Sequence, residues 1–399
     1  MPRRSRVGDL PTPALLLDLD VLERNLDRMA EKTRRLGVAL RPHVKTHKCL
    51  EVGRMQRERG ARGITVATLA EATAFADGGF ADVTWAFPLV LGRLDEVIAL
   101  ARRITLRVTV DSAEAVAALG KAARAAGVAV HAWLEVDSGH HRSGVDPRSA
   151  AALAVARALA AEGAVAFDGI LTHAGHSYHA PTRAGRAKVA EQERAAMVAF
   201  AARLEADGVR VPAVSTGSTP AMSAVERLDG VTEVRPGNYA FHDFMQVAAG
   251  VCAAEDCAVT VLASVVSHQP GADHAVVDAG ALALSKDAGP HDPALARGLG
   301  PVMAGLSGHD LDPQLEVTGV SQEHGVVGSR GVGTGGGLGP EGWGLGPKPH
   351  TPTPTPLPAL GEKVRILPNH SCLTAALFDR YHVVRGEDVV DEWTIWRRR

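Results

Sequence analysis

Two hydrophobic patterns alternate along the first part of the chain, up to about residue 244: short apolar runs, and longer stretches with apolar residues every three or four positions. Short apolar runs recur, and the stretches between them carry apolar residues at helical spacing, as on one side of Leu91–Arg103. Runs of this kind favour buried strands, and the longer period favours amphipathic helices. The predicted strands are Ala39–Val44, Gly63–Thr68, Asp82–Phe87, Ile104–Val110, Val128–Val136, Asp168–His173, Ala213–Thr216 and Thr232–Arg235.

Eight short strands that alternate with helices predict an α/β fold with a parallel (β/α)8 barrel over residues 21–244. From residue 245 to 399 the pattern changes, because few helical stretches separate the strand-like runs there. This region is predicted to form a mainly β C-terminal domain. We expect the early strand Leu15–Leu19, within residues 1–20, to join that domain. The strands predicted in the second region are Val259–Val266, Ala275–Asp278, Gln314–Val320 and Lys363–Leu367.

Residues 325–360 interrupt the second region with a stretch that is dominated by Gly, Pro and Thr. A segment of this composition buries too little apolar surface to offset the entropy of ordering its backbone. We therefore predict a disordered insertion at 325–360.

Composition excludes several classes of protein. The chain is 46% hydrophobic and 22% charged, with a formal net charge of -2, as is typical of a globular protein in water. Neither sign of charge is in excess, so we expect no nucleic-acid or membrane partner. The basic residues near the start are not followed by an apolar signal core. Four cysteines in so long a chain do not resemble a disulfide framework, and a cytoplasmic location is expected.

The first predicted barrel strand runs into residues 41–48, Arg-Pro-His-Val-Lys-Thr-His-Lys. A lysine that is fixed at the end of a strand, among cationic neighbours that lower its pKa, suits imine chemistry with a carbonyl cofactor. Lys45 is the candidate. A basic, solvated surface turn explains the same octapeptide equally well.

Polar residues also follow four other predicted strands, and barrel enzymes build their sites where the strands end. The turns after the last two strands contain glycine, and one of them is rich in hydroxyl groups. Such turns can offer backbone N–H groups to a phosphate. The four segments are Glu135–Gly144, His173–His179, Ser215–Thr219 and Arg235–Tyr239.

This pattern resembles the fold-type III pyridoxal-phosphate enzymes, whose barrel is alanine-racemase-like, and among them the D-serine dehydratase and D-threonine aldolase group. The octapeptide matches the cofactor-lysine motif of that family, and the resemblance covers nearly the whole chain outside the Gly- and Pro-rich insertion. It implies that Lys45 binds pyridoxal 5'-phosphate covalently, Arg142 contacts the phenolic oxygen of the cofactor, and His173 lies against its ring. Arg235 takes the place of an arginine that contacts the pyridine nitrogen. Phosphate contacts are implied for Thr216, Gly217, Gly237 and Asn238.

A second motif, Asn369-His370-Ser371-Cys372, lies in the predicted β domain. Alone it is more often a structural coincidence than a metal site. It resembles the motif with which the D-serine dehydratase group holds zinc, so His370 and Cys372 are the implied ligands. The aldolases of the group typically have aspartate in place of the cysteine, which suits harder ions such as Mn²⁺. The cysteine therefore favours Zn²⁺ and a dehydratase.

The resemblance predicts a lyase that acts on β-hydroxy-D-amino acids, with D-serine converted to pyruvate and ammonia. A D-threonine aldolase is the alternative, because His176 and His179 match a histidine pair of the aldolases, and His179 or a water would then take the hydroxyl proton. A racemase would leave the metal motif unexplained, and a non-catalytic cofactor carrier would have no use for it. The family also implies a homodimer with a small-molecule substrate.

Overall fold

The computed structural model describes residues 5–290, 292, 294–330 and 356–397, and these residues fall into two compact units. The first unit comprises the described residues within Met1–Arg24, Phe241–Ala248 and Cys252–Ile395, and the second comprises those within Asn25–Ala240, Ala249–Val251 and Trp396–Arg399. We call them the β unit and the barrel unit. No helix among the described residues is both long enough and apolar enough to cross a bilayer.

The barrel unit contains the predicted parallel sheet, with eight strands among the described residues, which confirms the barrel. Its strands run in the spatial order β2-β9-β8-β7-β6-β5-β4-β3. A parallel bridge between His43 and Thr65 joins the two ends of that order and closes the sheet. The strands are β2 (Ala39–Leu40), β3 (Ile64–Val66), β4 (Asp82–Pro88), β5 (Thr105–Val110), β6 (Val130–Glu135), β7 (Val165–Leu171), β8 (Val214–Thr216) and β9 (Glu233–Val234).

Helices cover the outside of the barrel, and most begin at a hydroxyl side chain. The side chains of Thr68, Ser112, Ser149, Thr182 and Ser218 each accept a backbone N–H of the first turn of the helix that follows. These caps satisfy amide groups that have no partner within the helix. The helices are α1 (Leu19–Arg35), α2 (Leu50–Glu58), α3 (Leu69–Asp77), α4 (Leu94–Ala101), α5 (Ala113–Ala126), α6 (Ala150–Ala161), α7 (Arg183–Ala206) and α8 (Thr219–Ala224).

The inner face of the barrel is polar. In β5, Leu106, Val108 and Val110 are buried on one face, whereas Arg107 lies on the other face and pairs with Asp82 and Asp168. A network of ion pairs and hydrogen bonds therefore crosses the interior, where many barrels have layers of branched apolar side chains. The residues of this interior network are Arg41, Asp82, Arg107, His131, Asp168 and Glu233.

The β unit is built on a mixed sheet, in which the described residues form nine strands in the order β11-β14-β13-β12-β15-β10-β1-β16-β17. An additional pairing of β10 with β11 closes six of these strands into an antiparallel barrel. β1 (Ala14–Asp18) pairs with β10 and β16, so the first strand of the chain lies in this sheet. The remaining elements are α9 (Phe244–Ala248), β10 (Val259–Ser267), β11 (His274–Val277), α10 (Ala281–Leu284), β12 (Pro301–Met303), β13 (Leu311–Val320), β14 (Gly325–Ser329), β15 (Lys363–Ile366), α11 (Ser371–Ala375), β16 (Arg380–Arg385) and β17 (Asp388–Thr394).

The start of the predicted insertion 325–360 is wrong. Gly325–Ser329 is strand β14 and pairs with both β11 and β13. The glycine-rich sequence suits this strand because a Cβ on Gly325 would lie 2.4 Å from the carbonyl oxygen of Ala279. Residues 331–355 lie outside the described residues, and residues 356–360 are described without helix or strand.

Candidate active site

Lys45 lies in a 3-10 turn, Val44–Thr46, shortly after β2. Its backbone N–H donates to Nδ1 of His43 at 3.4 Å, and its neighbours Val44 and Thr46 are buried. Lys48, the other lysine of the octapeptide, forms an ion pair with the buried Glu71. The two lysines therefore have different surroundings although they are only three residues apart.

Two imidazoles lie within electrostatic reach of Lys45. Burial, followed by the charge of Lys45, lowers the pKa of both His43 and His173 well below the usual value. Arg235 acts on both rings in the same direction, and Arg142 acts on His173. The structure thus brings Lys45, Arg142, His173 and Arg235 together at the end of the barrel where the strands finish.

The guanidinium of Arg235 is held by two neighbouring strand ends. It is 7% exposed, and it donates to the hydroxyl of Ser215 and to the carbonyl of Thr172, each at 2.5 Å. Ser215 in turn donates to Glu233 of the interior network at 2.7 Å. Burial lowers the pKa of Arg235. A chain of hydrogen bonds therefore connects the interior network with the Lys45 end of the barrel.

The two glycine-containing turns lie at this same end. The carbonyl of Thr216 accepts the backbone N–H of Arg235 at 3.0 Å, and Gly217 follows with a φ of +93°. A Cβ on Gly237 would lie 2.8 Å from the carbonyl oxygen of His43, so only glycine lets this turn approach the Lys45 turn so closely. Asn238 is 5% exposed and begins a buried 3-10 turn.

Three more histidines surround this end of the barrel. The ring of His140 lies 6.1 Å from that of His173 and 6.3 Å from that of His176, measured between centroids. Burial, then the charges of Arg142 and His176, lower the pKa of His140, and His179 contributes in the same direction. His179 itself is exposed, at the end of the 3-10 turn Gly175–His179.

The metal motif lies in the β unit. His370 precedes α11, and Cys372 is the second residue of that helix. Nδ1 of His370 lies 3.0 Å from Oδ2 of Asp287, and the ring also forms a hydrogen bond with Cys372. Burial alone would lower the pKa of His370, but the hydrogen bonds to Asp287 and Cys372 outweigh it and raise the pKa well above the usual value. Among the described residues, no three or more His, Cys, Asp or Glu side chains are grouped to hold an ion.

Residues 17–243 match the family model described as alanine racemase, N-terminal domain, which covers the barrel strands and the Lys45 turn. The chain belongs to this family. A second model, described as "putative serine dehydratase domain", matches residues 258–384 and covers His370 and Cys372. The two matches correspond to the two kinds of sheet in the structure.

Three curated relatives match nearly the full length of this alanine racemase-like chain. D-threo-3-hydroxyaspartate dehydratase of Delftia sp. (strain HT23) is 41% identical over 96% of this chain and 97% of its own. D-serine dehydratase of Dictyostelium discoideum is 33% identical, covering 96% of each chain. D-threonine aldolase of Arthrobacter sp is 31% identical over 100% of this chain and 96% of its own.

A solved structure supports the same relationship. The metal-free form of a cysteine-to-alanine variant of D-threo-3-hydroxyaspartate dehydratase superposes with a TM-score of 0.87, at 38% identity, covering 98% of this chain and 99% of that one. The alanine racemase-like fold is thus shared over both units. Like these relatives, the chain is a pyridoxal-phosphate-dependent lyase.

The barrel residues fit this cofactor. Trp133 and Glu135 share the inner face of β6 with His131. The indole Nε1 of Trp133 and Oε2 of Glu135 are buried and have no hydrogen-bond partner within the part of the chain that the structure describes. Buried polar atoms are rarely left unpaired, so a polar group that enters this end of the barrel would complete the site. The phosphate would meet the two glycine-containing turns.

The donor set in the β unit fits a bound metal ion. Because Asp287 holds Nδ1 of His370, Nε2 is the nitrogen left for an ion, an arrangement typical of metal-binding histidines. A histidine and a cysteine occupy two positions of a tetrahedral ion and leave the others for water or substrate. A metal cation that binds His370 and Cys372 would displace the proton of the hydrogen bond between these two side chains.

Sequence reasoning missed two residues that support the site. Asp287 orients His370, and Glu193 of α7 binds two backbone amides in the turns after β7 and β8. Ser215 lies in one of the predicted segments, but its part in orienting Arg235 was not predicted. Asp287 is 83 positions from His370, so no spacing rule connects them. Glu193 lies in a helix with many other charged residues, and only its burial distinguishes it.

Proposed function

We propose that this chain is a metal-dependent dehydratase of β-hydroxy-D-amino acids. Such an enzyme removes the α-proton and the β-hydroxyl, and the unsaturated product hydrolyses to a keto acid and ammonia. D-serine would give pyruvate. The observation that carries the proposal is the pair of His370 and Cys372, oriented by Asp287, because a thiolate ligand favours zinc over harder ions.

The proposal assigns roles to residues of the barrel. Lys45 would bind pyridoxal phosphate covalently and then, once displaced by the substrate amine, act as the base for the α-proton. Arg142 and His173 would contact the cofactor ring, and Arg235 would lie near its nitrogen. The phosphate would be held by Thr216, Gly217, Gly237 and Asn238.

The bound cofactor supplies an electron sink that makes the α-proton of the substrate acidic. The residues around Lys45 support its part in this chemistry. The neutral rings of His43 and His173 add no positive charge at pH 7, whereas the guanidinium groups of Arg142 and Arg235 do. Nearby cations favour the neutral amine of a lysine, which is the form that can take a proton.

The metal pair would act on the substrate hydroxyl. An ion on His370 and Cys372 would supply Lewis-acid assistance to the departure of hydroxide. Asp287 keeps the imidazole in the tautomer that presents Nε2, and the thiolate lowers the charge of the site by one.

Two substrates deserve the first assays, D-serine and D-threo-3-hydroxyaspartate. The second substrate carries an extra carboxylate. The relative that is named as a dehydratase of this compound is 41% identical to the present chain. Arg142, His140 and His176 form a basic group beside His173 that suits a second carboxylate. Binding of that carboxylate would favour protonation of the histidines, whose pKa is lowered in its absence.

A D-threonine aldolase is the second candidate. The placement of His176 and His179 beside His140 favours it, because an aldolase needs a base for the hydroxyl proton. The 31% identity with the Arthrobacter enzyme is compatible with either reaction.

Product analysis decides between the two reactions. The protein loaded with pyridoxal phosphate and zinc is incubated with D-serine, D-threo-3-hydroxyaspartate and D-threonine, and with their L-enantiomers. We expect keto acid and ammonia in equal amounts from the D-substrates. Glycine and acetaldehyde from D-threonine, with little pyruvate from D-serine, would replace the proposal with the aldolase. Equal rates on the L-enantiomers would contradict both reactions, because a single lysine reaches one face of the substrate.

A further inference from the structure

Helix α7 places a buried carboxylate between two turns of the cofactor site. Glu193 is 2% exposed. Its Oε1 accepts the backbone N–H of Ala174 at 3.2 Å and that of Gly217 at 3.3 Å. Ala174 directly follows His173, and Gly217 directly follows Thr216, so one oxygen atom connects the turn after β7 with the turn after β8.

Burial of a carboxylate costs free energy that only well-placed hydrogen bonds offset, and here two backbone amides supply them. Burial raises the pKa of Glu193 to about 7, although the amide of Gly217, the charge of Arg235 and the amide of Ala174 act against the rise. Gly217 has a left-handed backbone, and a Cβ there would lie 3.2 Å from the side chain of Val234. The direction of its N–H is therefore fixed by a conformation that other residues rarely adopt.

We propose that Glu193 is a positioning residue of the cofactor site. By holding both amides on one oxygen, it sets the distance between the turn that carries His173 and the turn that carries Thr216. This inference rests on the proposed placement of the cofactor at these two turns. Glu193 does not touch the reacting atoms. Its effect passes through the backbone of the residues that bind the ring and the phosphate.

The same helix offers a matched control. Arg186 lies seven residues earlier on the same face and is also 2% exposed. It donates to the carbonyls of Ala180, Ala249 and Gly250 and to the hydroxyl of Ser223, none of which belongs to the two cofactor turns. Loss of Arg186 therefore weakens the attachment of α7 without releasing Ala174 or Gly217.

The test compares Glu193→Gln, Glu193→Asp and Glu193→Ala with Arg186→Met. The dissociation constant of pyridoxal phosphate is measured by titration of the apoprotein, with the visible circular dichroism of the bound cofactor as a second signal. Hydrogen exchange of peptides that contain Ala174 and Gly217 is followed in the apoprotein. Gln retains the accepting oxygen, whereas Asp is one methylene too short to reach both amides.

We expect Glu193→Ala and Glu193→Asp to weaken cofactor binding about tenfold or more, with faster exchange of both peptides, because each loses at least one of the two hydrogen bonds that the buried oxygen accepts. Glu193→Gln should stay within about threefold of the wild type. Arg186→Met should lower the melting temperature but keep the dissociation constant. The inference is wrong if every Glu193 variant that folds has the same dissociation constant for pyridoxal phosphate as Arg186→Met. In that case Glu193 contributes only to the stability of the fold. Cofactor binding is read without substrate, so an inactive wild type that binds the cofactor would refute the proposed reaction and leave this result intact.

Discussion

At the scale of single residues, the local surroundings of Lys45 distinguish it from its neighbours. Lys48 is paired with Glu71, whereas Lys45 lies among His43, His173 and Arg235. In the sequence, the position of Lys45 after the first predicted strand made it the candidate, and the resemblance implied the same residue. The structure adds a physical difference, because an amine that is engaged with a buried carboxylate, as that of Lys48 is with Glu71, is less available as a nucleophile.

Lys45→Ala should therefore abolish covalent attachment of the cofactor and lower turnover by about a thousandfold or more, since both the nucleophile and the base are lost. Borohydride reduction of the wild type followed by peptide mapping should locate the pyridoxyl group on Lys45. Lys48→Ala is the control and should keep the label. A label on Lys48 or Lys286 would show that the assignment of Lys45 is wrong.

Asp287 is the residue that orients His370 for metal binding. It contacts the ring nitrogen of His370 that an ion would not use, and so fixes the orientation of the ring. Asp287→Asn should weaken zinc binding about 10- to 100-fold, as is usual when such an outer partner is lost. The measurement is zinc content after equilibration with a chelator of known affinity. Chelation should leave the protein folded, because two protein ligands do not hold a fold together. Unchanged zinc affinity would exclude Asp287 as the orienting group.

At the scale of elements, the regular parts of the fold could be predicted and the exceptions have physical reasons. All eight barrel strands were predicted, although β7 begins and ends earlier than expected, at Val165–Leu171. Four strands of the β unit were missed. β12 is only three residues long, and β14 is glycine-rich. β16 and β17 contain charged residues that interrupt the alternation of apolar and polar positions typical of a strand. Helix α1 is capped by Asp18, whose Oδ1 accepts the N–H of Val21 at 3.0 Å.

The strands of the barrel also carry an ion network that periodicity could not show, because polar residues on a strand normally indicate a face in water. Asp168 bonds His131 and Arg107 there. Burial opposes ionisation of Asp168, but its hydrogen bond to His131 and the charge of Arg107 outweigh burial and lower its pKa below the ordinary value of 3.8. A carboxyl group whose pKa is lower in the folded than in the unfolded protein stabilises the fold at pH values above its ordinary pKa. This stabilisation is lost as the pH falls through the pKa of the folded protein.

Asp168→Asn should therefore lower the free energy of unfolding by about 2 kcal/mol near pH 7, because Arg107 loses one of its two carboxylate partners and His131 loses its hydrogen bond to a carboxylate. The difference from the wild type should shrink as the pH falls below about 4. Thermal melts between pH 7 and pH 3 measure both effects. Asp146→Asn, at an exposed site beside Arg148, is the control and should change little at any pH. A difference that stays constant with pH would mean that the charge of Asp168 is not what stabilises the barrel.

At the scale of the whole molecule, the strands on either side of residues 331–355 are fixed by pairings of their own. β14 pairs with β11 and β13, and β15 pairs with β10 and β12. The intervening sequence is rich in Gly, Pro and Thr, and a chain of that composition contributes little burial. The cost of closing a loop also rises slowly, by about 0.6 kcal/mol for each doubling of its length.

Replacing residues 331–355 with a short Gly-Ser linker should therefore leave the melting temperature and the turnover close to those of the wild type. A second deletion that extends back to Gly325 is the matched comparison. It removes β14, which lies between β11 and β13, so both neighbours lose a row of backbone hydrogen bonds and the six-stranded barrel opens. We expect this variant to unfold or aggregate. If the shorter deletion keeps the melting temperature but loses turnover, residues 331–355 contribute to the site. If it also loses the fold, the compositional argument fails.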